Sequence, residues 1–490
     1  MEQFEHRIGG ADAAPLEGGY LETFDPTDGT PWARIARGDR GDVDRAVDAA
    51  TEALRTWRRT PPSERAERLW RVADLIEQHA DELAMLESRD IGKVIREMRG
   101  QMRALPRWYR YFAAQVHSLR GDVIPLDSPT MFTYTRLEPF GVVGIVPSFN
   151  SPILLTTFAL APALAAGNTV VVKPSEHAST ALLRFAALFD DAGLPAGTVN
   201  VVTGYGHEAG DALVRHPGVR KIAFTGGVET ARAVARSAAE QIKPTILELG
   251  GKSANIIFPD ADLESATNGI VAGIFAAAGQ TCVAGSRLLV HDAIADRVVD
   301  AVAARARTIR MGDPRADETE MGPIAQQSIR DRVADRVATA VGAGARQVTG
   351  GPDAFDASAP GWFYPPTVLA DVTNDMEIAR EELFGPVLSV IRFSDDDEAL
   401  AIANDSPFGL AAGLWTARLD RAHRMAAALE ASTVWINTYR ALNFAVPFGG
   451  RGLSGHGREL GREGLLEFSQ TKSVWIETSE EPMGDPFTLR

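Results

Sequence analysis

Residues 141–176 read GVVGIVPSFNSPILLTTFALAPALAAGNTVVVKPSE. Two short β-branched runs, Val142–Val146 and Thr169–Val172, flank an apolar helical stretch over Pro152–Ala166. Ile153–Val172 is the most apolar long segment of the chain, but Pro162, Gly167 and Asn168 interrupt it. It therefore reads as a buried helix followed by a strand, not as a membrane span. The same alternation continues downstream. A helix over Ala178–Asp191, closed by Gly193, leads to strands at Val199–Val202, Ile222–Phe224 and Thr245–Leu247. Continuous β-branched runs separated by amphipathic helices predict a parallel sheet covered on both faces. Such sheets bind ligands beyond the carboxyl ends of their strands.

On the N-terminal side, Asp42–Trp57 has helical spacing, with Asp42 as its expected cap. A second helix is expected after Pro61-Pro62 and Ser63, with Leu69, Val72, Leu75, Ile76 and Leu83 facing inward. MFTYTRLEP, residues 131–139, alternates as a strand and suggests a hairpin arm. On the C-terminal side a helix over Asp262–Ala278 delivers the chain to Cys282. Strands at Arg287–His291, Val348–Gly350 and Val387–Phe393, with helices at Ile329–Val341 and Asp420–Leu429, predict a second α/β unit. The stretch after Lys472 reads as a terminal strand.

A chain of 490 residues is too long for one hydrophobic core. At 45% hydrophobic and 23% charged residues it has the composition of a globular protein, and its net charge of −15 offers no footprint for nucleic acid or an anionic membrane. One cysteine excludes an intramolecular disulfide and fits a reducing, cytoplasmic compartment. No signal peptide is visible at the N-terminus. The nine histidines show neither HExxH spacing nor clustering with carboxylates, so no metal site is expected. The acidic run 394–398 reads as a helix N-terminus, His456 as a solvated loop residue, and RALPRWYR at 103–110 as a solvated helix face.

The lone cysteine lies in GQTCVAGS, residues 279–286. Small neighbours leave space beside its sulfur, which suits either an inert small residue or a nucleophile that something must approach. Gly204-Tyr205-Gly206 imitates a dinucleotide fingerprint, but a lone GxG fits turn chemistry equally well. Lys173-Pro174-Ser175-Glu176 ends a strand with a carboxylate that could accept both hydroxyls of an adenine ribose, or it could be a surface ion pair. Such a carboxylate would repel a 2′-phosphate, favouring NAD over NADP. Phe224-Thr225-Gly226-Gly227 runs into a helix at Val228, where backbone N–H groups can approach a pyrophosphate.

KPSE, FTGG, ELGGKS, GQTC, EELFGP and PFGG occur in that order, and together they closely resemble the NAD(P)-dependent aldehyde dehydrogenase superfamily over nearly the whole chain. The resemblance implies an α/β fold with a Rossmann-like parallel-sheet cofactor domain (1–120 and 139–250), an α/β catalytic domain (251–453) and a small β oligomerisation arm (121–138 and 470–490). It implies that Cys282 is the nucleophile, Asn150 the oxyanion-hole donor and Glu248 the general base, with Glu459 relaying protons from that base. In some members a lysine completes the relay; Ala159 takes its place here. Retention of Glu248 favours hydrolysis to the free acid over acyl transfer to coenzyme A. Lys173 and Glu176 match the adenosine-ribose clamp, Gly226 and Gly227 the pyrophosphate turn, and Glu382 and Phe384 the nicotinamide-ribose side. Phe149 stands where the family usually has Trp, and Gly227 where it commonly has Ser. Leu155, Phe158, Tyr439, Arg440, Leu442, Asn443 and Phe444 would line the substrate tunnel, with Phe448 walling the catalytic pocket. Ser151, small where many relatives carry an aromatic, would leave room for a bulky or oxygenated aldehyde. The implied assembly is a homodimer or homotetramer acting on a small-molecule aldehyde. The alternatives are a non-redox thiol esterase using Cys282 and Glu248, and a binding protein that has kept the fold.

Overall fold

The computed structural model describes residues 1–354, 356 and 358–488. Two residues within the expected catalytic domain, 355 and 357, and the last two of the expected arm lie outside the described residues.

The β-branched runs of the opening stretch form the middle of an eight-stranded sheet. Its order is Gly455–His456, Thr245–Leu249, Val219–Gly226, Val142–Val146, Thr169–Val172, Val199–Val201, His6–Ile8, Ala11–Ala13. The five strands between residues 142 and 249 are mutually parallel, and the short flanking strands are antiparallel. The helix Pro152–Ala165 is buried along almost its whole length, which explains a sequence apolar all round.

A second sheet of seven strands spans residues 254–436, in the order Arg346–Thr349, Thr367–Ala370, Val387–Phe393, Arg287–His291, Ala254–Ile257, Ala411–Trp415, Thr433–Ile436. All its pairs are parallel except the first, where Arg346–Thr349 forms an antiparallel edge. Ser469–Glu477 pairs with Met131–Pro139 along nine residues, and Val123–Ile124 completes this small antiparallel sheet. Glu2–Phe4, Thr30–Ala36 and Tyr20–Asp25 make a fourth sheet. The fold is thus α/β, with two mostly parallel sheets and a small β arm.

Several local expectations shift. The first helix runs Arg40–Trp57, and Asp39, not Asp42, caps it: Asp39 accepts from Asp42 N while Asp42 returns a bond to Asp39 N. Acidic residues three apart allow this reciprocal box, so the helix starts earlier than its apolar pattern suggests. Leu83 belongs to a separate helix, Ala80–Ile91, because Pro62–Gln78 ends at His79. The helix before Cys282 covers only Leu263–Ile274. Ala277 and Ala278 then adopt left-handed backbone (φ 53° and 50°), followed by Gly279 at φ 71°. A side chain at Gly279 would collide with the Gly385 carbonyl, so the chain must turn sharply at this close approach. RALPRWYR is not uniformly solvated: Arg103 and Arg107 are exposed, but Trp108 and Tyr109 are buried. The GYG segment is a tight turn. Gly204 (φ 138°) would place a Cβ 2.8 Å from the Gly38 carbonyl, so this position needs glycine for the turn, and a short π-helical turn, Gly206–Gly210, follows it. The acidic run caps the helix Asp396–Asn404 through Asp395, which accepts from Asp397 N and Glu398 N.

Candidate active site

The strands Val219–Gly226 and Thr245–Leu249 of the eight-stranded sheet end at a cavity of about 270 Å³, which loops preceding strands of the seven-stranded sheet also line. Its lining includes Asn150, Leu155, Gly226, Gly227, Glu248, Cys282, Glu382 and Phe384, residues drawn from five separate stretches of chain. Each is delivered by a local feature. Asn150 precedes the helix Pro152–Ala165. Glu248 lies near the end of the strand Thr245–Leu249. Cys282 follows the left-handed turn at residues 277–279.

Asn150 is buried and donates from Nδ2 to the Gln280 carbonyl at 2.9 Å. Gln280 is itself fixed, because its Oε1 accepts from Ala325 N at 3.0 Å. These bonds tie the amide of Asn150 to the segment that carries the cysteine. Burial, reinforced by the Glu382 and Glu248 carboxylates, pushes the Cys282 thiol up to about 12.

Glu248 is 3% exposed, and neither of its carboxylate oxygens has a hydrogen-bond partner. Burial pushes its carboxyl well above the usual range, the nearby Glu459 adds to this, and Arg458 opposes it. Glu459 is also buried, and burial raises its carboxyl to about 8. Gly449 gives Glu248 its space, since a Cβ there would lie 2.8 Å from Glu248 Oε1. Phe448 and Glu459 exchange backbone hydrogen bonds of 2.7 Å, which joins the pocket aromatic to the second carboxylate. Ala159 packs in the hydrophobic core and contributes no proton-carrying group.

The residues expected to hold a dinucleotide lie along the cavity and, for Lys173 and Glu176, beyond its lining. Gly227 caps the helix Val228–Ala239, and a side chain at Gly227 would extend into open space. Lys173 is buried and its Nζ lies 3.3 Å from Glu176 Oε2, so the pair is not a simple surface contact. Burial would raise the Glu176 carboxyl, but Lys173, with a backbone hydrogen bond, holds it below the usual range. Glu382 accepts from Gly251 N at 3.2 Å and fills the space that a side chain at Gly250 would need. Burial raises its carboxyl to about 7. Phe384 adopts φ 60° and meets Phe149 edge-on at 5.6 Å, so Phe149 supports the wall opposite Gly226 and Gly227 with a ring smaller than Trp.

Leu155, Phe158, Tyr439, Phe444 and Phe448 belong to one apolar cluster that reaches Cys282. Phe158 stacks on Trp108 at 6.3 Å and meets Phe448 edge-on at 6.2 Å, while Phe444 meets Trp108 edge-on at 5.7 Å. Tyr439 donates to the Val283 carbonyl at 3.1 Å, next to the cysteine. Leu442 and Asn443 are exposed. Lys173, Glu176 and Glu459 lie beyond the cavity's immediate lining.

Sequence reasoning missed Trp108, Gln280, Gln326, Arg332 and Lys93. Gln280 could have been read from its position two residues before the cysteine. Gln326 and Arg332 line the cavity from the start of the helix Gln327–Gly342, whose sequence carries no motif. Among the described residues no group of three or more His, Cys, Asp or Glu side chains could hold a metal ion, and no helix is long and apolar enough to cross a membrane.

The sequence profile of the aldehyde dehydrogenase family matches residues 15–474. The chain is 45% identical, over 100% of both lengths, to (Z)-2-((N-methylformamido)methylene)-5-hydroxybutyrolactone dehydrogenase of Acinetobacter baylyi. It is 41% identical, over 96% of this chain and 94% of the relative, to the NADP/NAD-dependent aldehyde dehydrogenase PuuC of Escherichia coli. The solved NAD+ complex of an aldehyde dehydrogenase from Bacillus cereus is similar at a TM-score of 0.95 and 41% identity, covering 98% of this chain and 97% of that one.

Proposed function

The chain belongs to the aldehyde dehydrogenase family, and from that premise we propose that Cys282, Asn150 and Glu248 convert an aldehyde to its carboxylic acid with NAD as oxidant. The protein is an oxidoreductase acting on aldehydes. Its cofactor is NAD, with NADP the weaker alternative because a carboxylate at Glu176 would repel a 2′-phosphate. The observation that carries the residue assignments is the convergence of Asn150, Glu248 and Cys282 on one cavity with Gly226, Gly227, Glu382 and Phe384.

Lys173 and Glu176 hold the adenosine ribose, the backbone at Gly226 and Gly227 meets the pyrophosphate, and Glu382 and Phe384 position the nicotinamide ribose and ring. When bound, NAD accepts the hydride released from the carbonyl carbon. Cys282 Sγ, its thiol proton lost to water, bonds to the aldehyde carbon, and Glu248, whose carboxylate has no competing hydrogen bond, keeps its proton-accepting capacity for the later step. Asn150 Nδ2 and the backbone N–H of Cys282 stabilise the oxyanion, each such donor being worth about 3–4 kcal/mol. Loss of hydride leaves a thioester on Cys282. Glu248 then removes a proton from water as it attacks the thioester, the C–S bond breaks, and Glu459 shares the proton load.

We assign the cofactor domain to 1–120 and 139–250, the catalytic domain to 251–453, and an arm to 121–138 and 470–490. The arm presents exposed Val123, Ile124, Phe132, Trp475 and Ile476. That apolar surface supports pairing with a second copy, as a homodimer or homotetramer.

The test is NADH formation from an aldehyde panel, with NAD titrated in parallel. Cys282→Ala should abolish turnover while NAD binding survives. Residual turnover in that variant would remove Cys282 from the chemistry. Activity without any NAD response would favour a thiol esterase.

A further inference from the structure

Lys93 lies in a short turn between the helices Ala80–Ile91 and Ile95–Ala104. Its carbonyl accepts from Ser88 Oγ at 2.6 Å, which fixes the turn. Its side chain runs inward, and the ammonium donates to Ser151 Oγ, on the residue directly after Asn150. The space beside the small Ser151 is therefore not vacant for a bulky tail. A cation fills it.

That cation is poorly compensated. Lys93 is 7% exposed and forms no ion pair among the described residues. The charges acting on it are Glu97 and Glu87, which favour the ammonium, Arg440, which repels it, and the Cys282 thiol. Glu87 is occupied elsewhere, accepting from Gln101 Nε2 at 3.2 Å and from Ile153 N at 3.4 Å, and burial raises it to about 7. Glu97 is only half-buried on the outer helix. Arg440, in left-handed backbone at φ 60°, donates to the Ala272 carbonyl at 2.9 Å and also has no ion pair among the described residues. Burial disfavours the charged form of Lys93. A buried ammonium is costly unless a counter-charge reaches it, and this one has donors left after its bond to Ser151.

We propose that Lys93 is a specificity-determining residue that receives the carboxylate of an aldehyde carrying an acid group at its far end, with Arg440 drawing that anion inward. This rests on the assignment of Cys282 and Asn150 to the reacting end, because Ser151 links Lys93 to that end directly. The substrate class is an oxo acid, and the product is a dicarboxylate.

The experiment compares kcat/KM for succinic, glutaric and adipic semialdehydes with those for their methyl esters, which match in length but lack the charge. The native protein should prefer the acid of at least one length by about tenfold or more, the scale of a buried charge pair. Lys93→Met should erase that preference mainly through KM, with the esters changed by less than about threefold. NAD affinity should be unchanged, and the thermal midpoint should not fall, because the buried uncompensated ammonium is removed. If the variant does not fold, inhibition of the native protein by glutarate and adipate, competitive with aldehyde and absent for the corresponding diols, serves as the second measurement. Equal loss on acids and esters would make Lys93 a support for Cys282 and overturn the proposal. So would native activity on esters without preference for acids. Absence of activity on every aldehyde would instead overturn the enzymatic assignment itself.

Discussion

At the proposed nucleotide end of the cavity, the carboxylates are matched to polar partners. Lys173 and Glu176 face each other at 3.3 Å, and Glu382 rests on the Gly251 N–H. At the reacting end they are not. Glu248 holds two oxygens without partners, Glu459 is a second carboxyl pressed into the same dry region, and Lys93 has an ammonium with no ion pair among the described residues. Both ends are assembled from strand termini and buried helices, so the difference is not one of scaffold. Paired charges need little from a ligand beyond shape and hydrogen bonds. Unpaired ones keep altered proton affinities, and chemistry draws on those.

The sharpest way to break this contrast is Glu248→Gln. It keeps the shape and removes the base, so steady-state turnover should fall by about a hundredfold or more. A single burst of NADH should remain, with the acyl group retained on Cys282 and visible by intact-mass measurement. Full turnover would show that the unpaired carboxylate is idle. On the matched side, Glu176→Gln should disturb binding and leave the chemical step alone. The preference for NAD over NADP should narrow by about tenfold, the scale of a lost hydrogen bond to a charged group, with kcat at saturating cofactor retained. An unchanged cofactor ratio would remove Glu176 from the ribose site.

The smallest effect concerns stability. Glu459 is raised from 4.5 to about 8 in the folded chain. Between those values the folded state holds a proton that the unfolded state has released, so stability is full below 4.5 and declines as pH rises to about 8. Glu459→Gln has no proton to lose. Its thermal midpoint should depend less on pH across that window and exceed the native one at the alkaline end by about 2–4 °C. Parallel profiles for the two proteins would mean that burial of Glu459 imposes no such cost.

The parallel strands were legible because runs such as Val142–Val146 and Thr169–Val172 are buried on both faces, and burial on both faces leaves a continuous apolar signature. Cys282 stood out as the lone thiol among small residues. Glu459 could be nominated only through the family resemblance, since nothing in GREL distinguishes it from a surface glutamate. The turn at Ala277 and Ala278 was invisible because alanine favours helix, and the neighbouring approach of Gly279 to the Gly385 carbonyl is a contact between distant parts of the chain. Trp108 was hidden among arginines that do face water. Lys93 gave no sign, because its partner lies 58 residues away and a lysine between two helices looks solvated. What the sequence withheld were long-range pairings that tertiary contact alone creates.

The strand Gly455–His456 forms the edge of the eight-stranded sheet, with Gly455 opposite Glu248 and His456 opposite Leu247. On a ribosome, Thr245–Leu249 would emerge long before this partner and wait with one flank unprotected. The loop leading from Phe448 through Gly455 to Glu459 therefore closes the sheet and encloses Glu248, the proposed general base, in one late event. A chain cut before Gly455 would retain most of its two α/β layers, yet it would expose an adhesive edge beside the proposed reacting end.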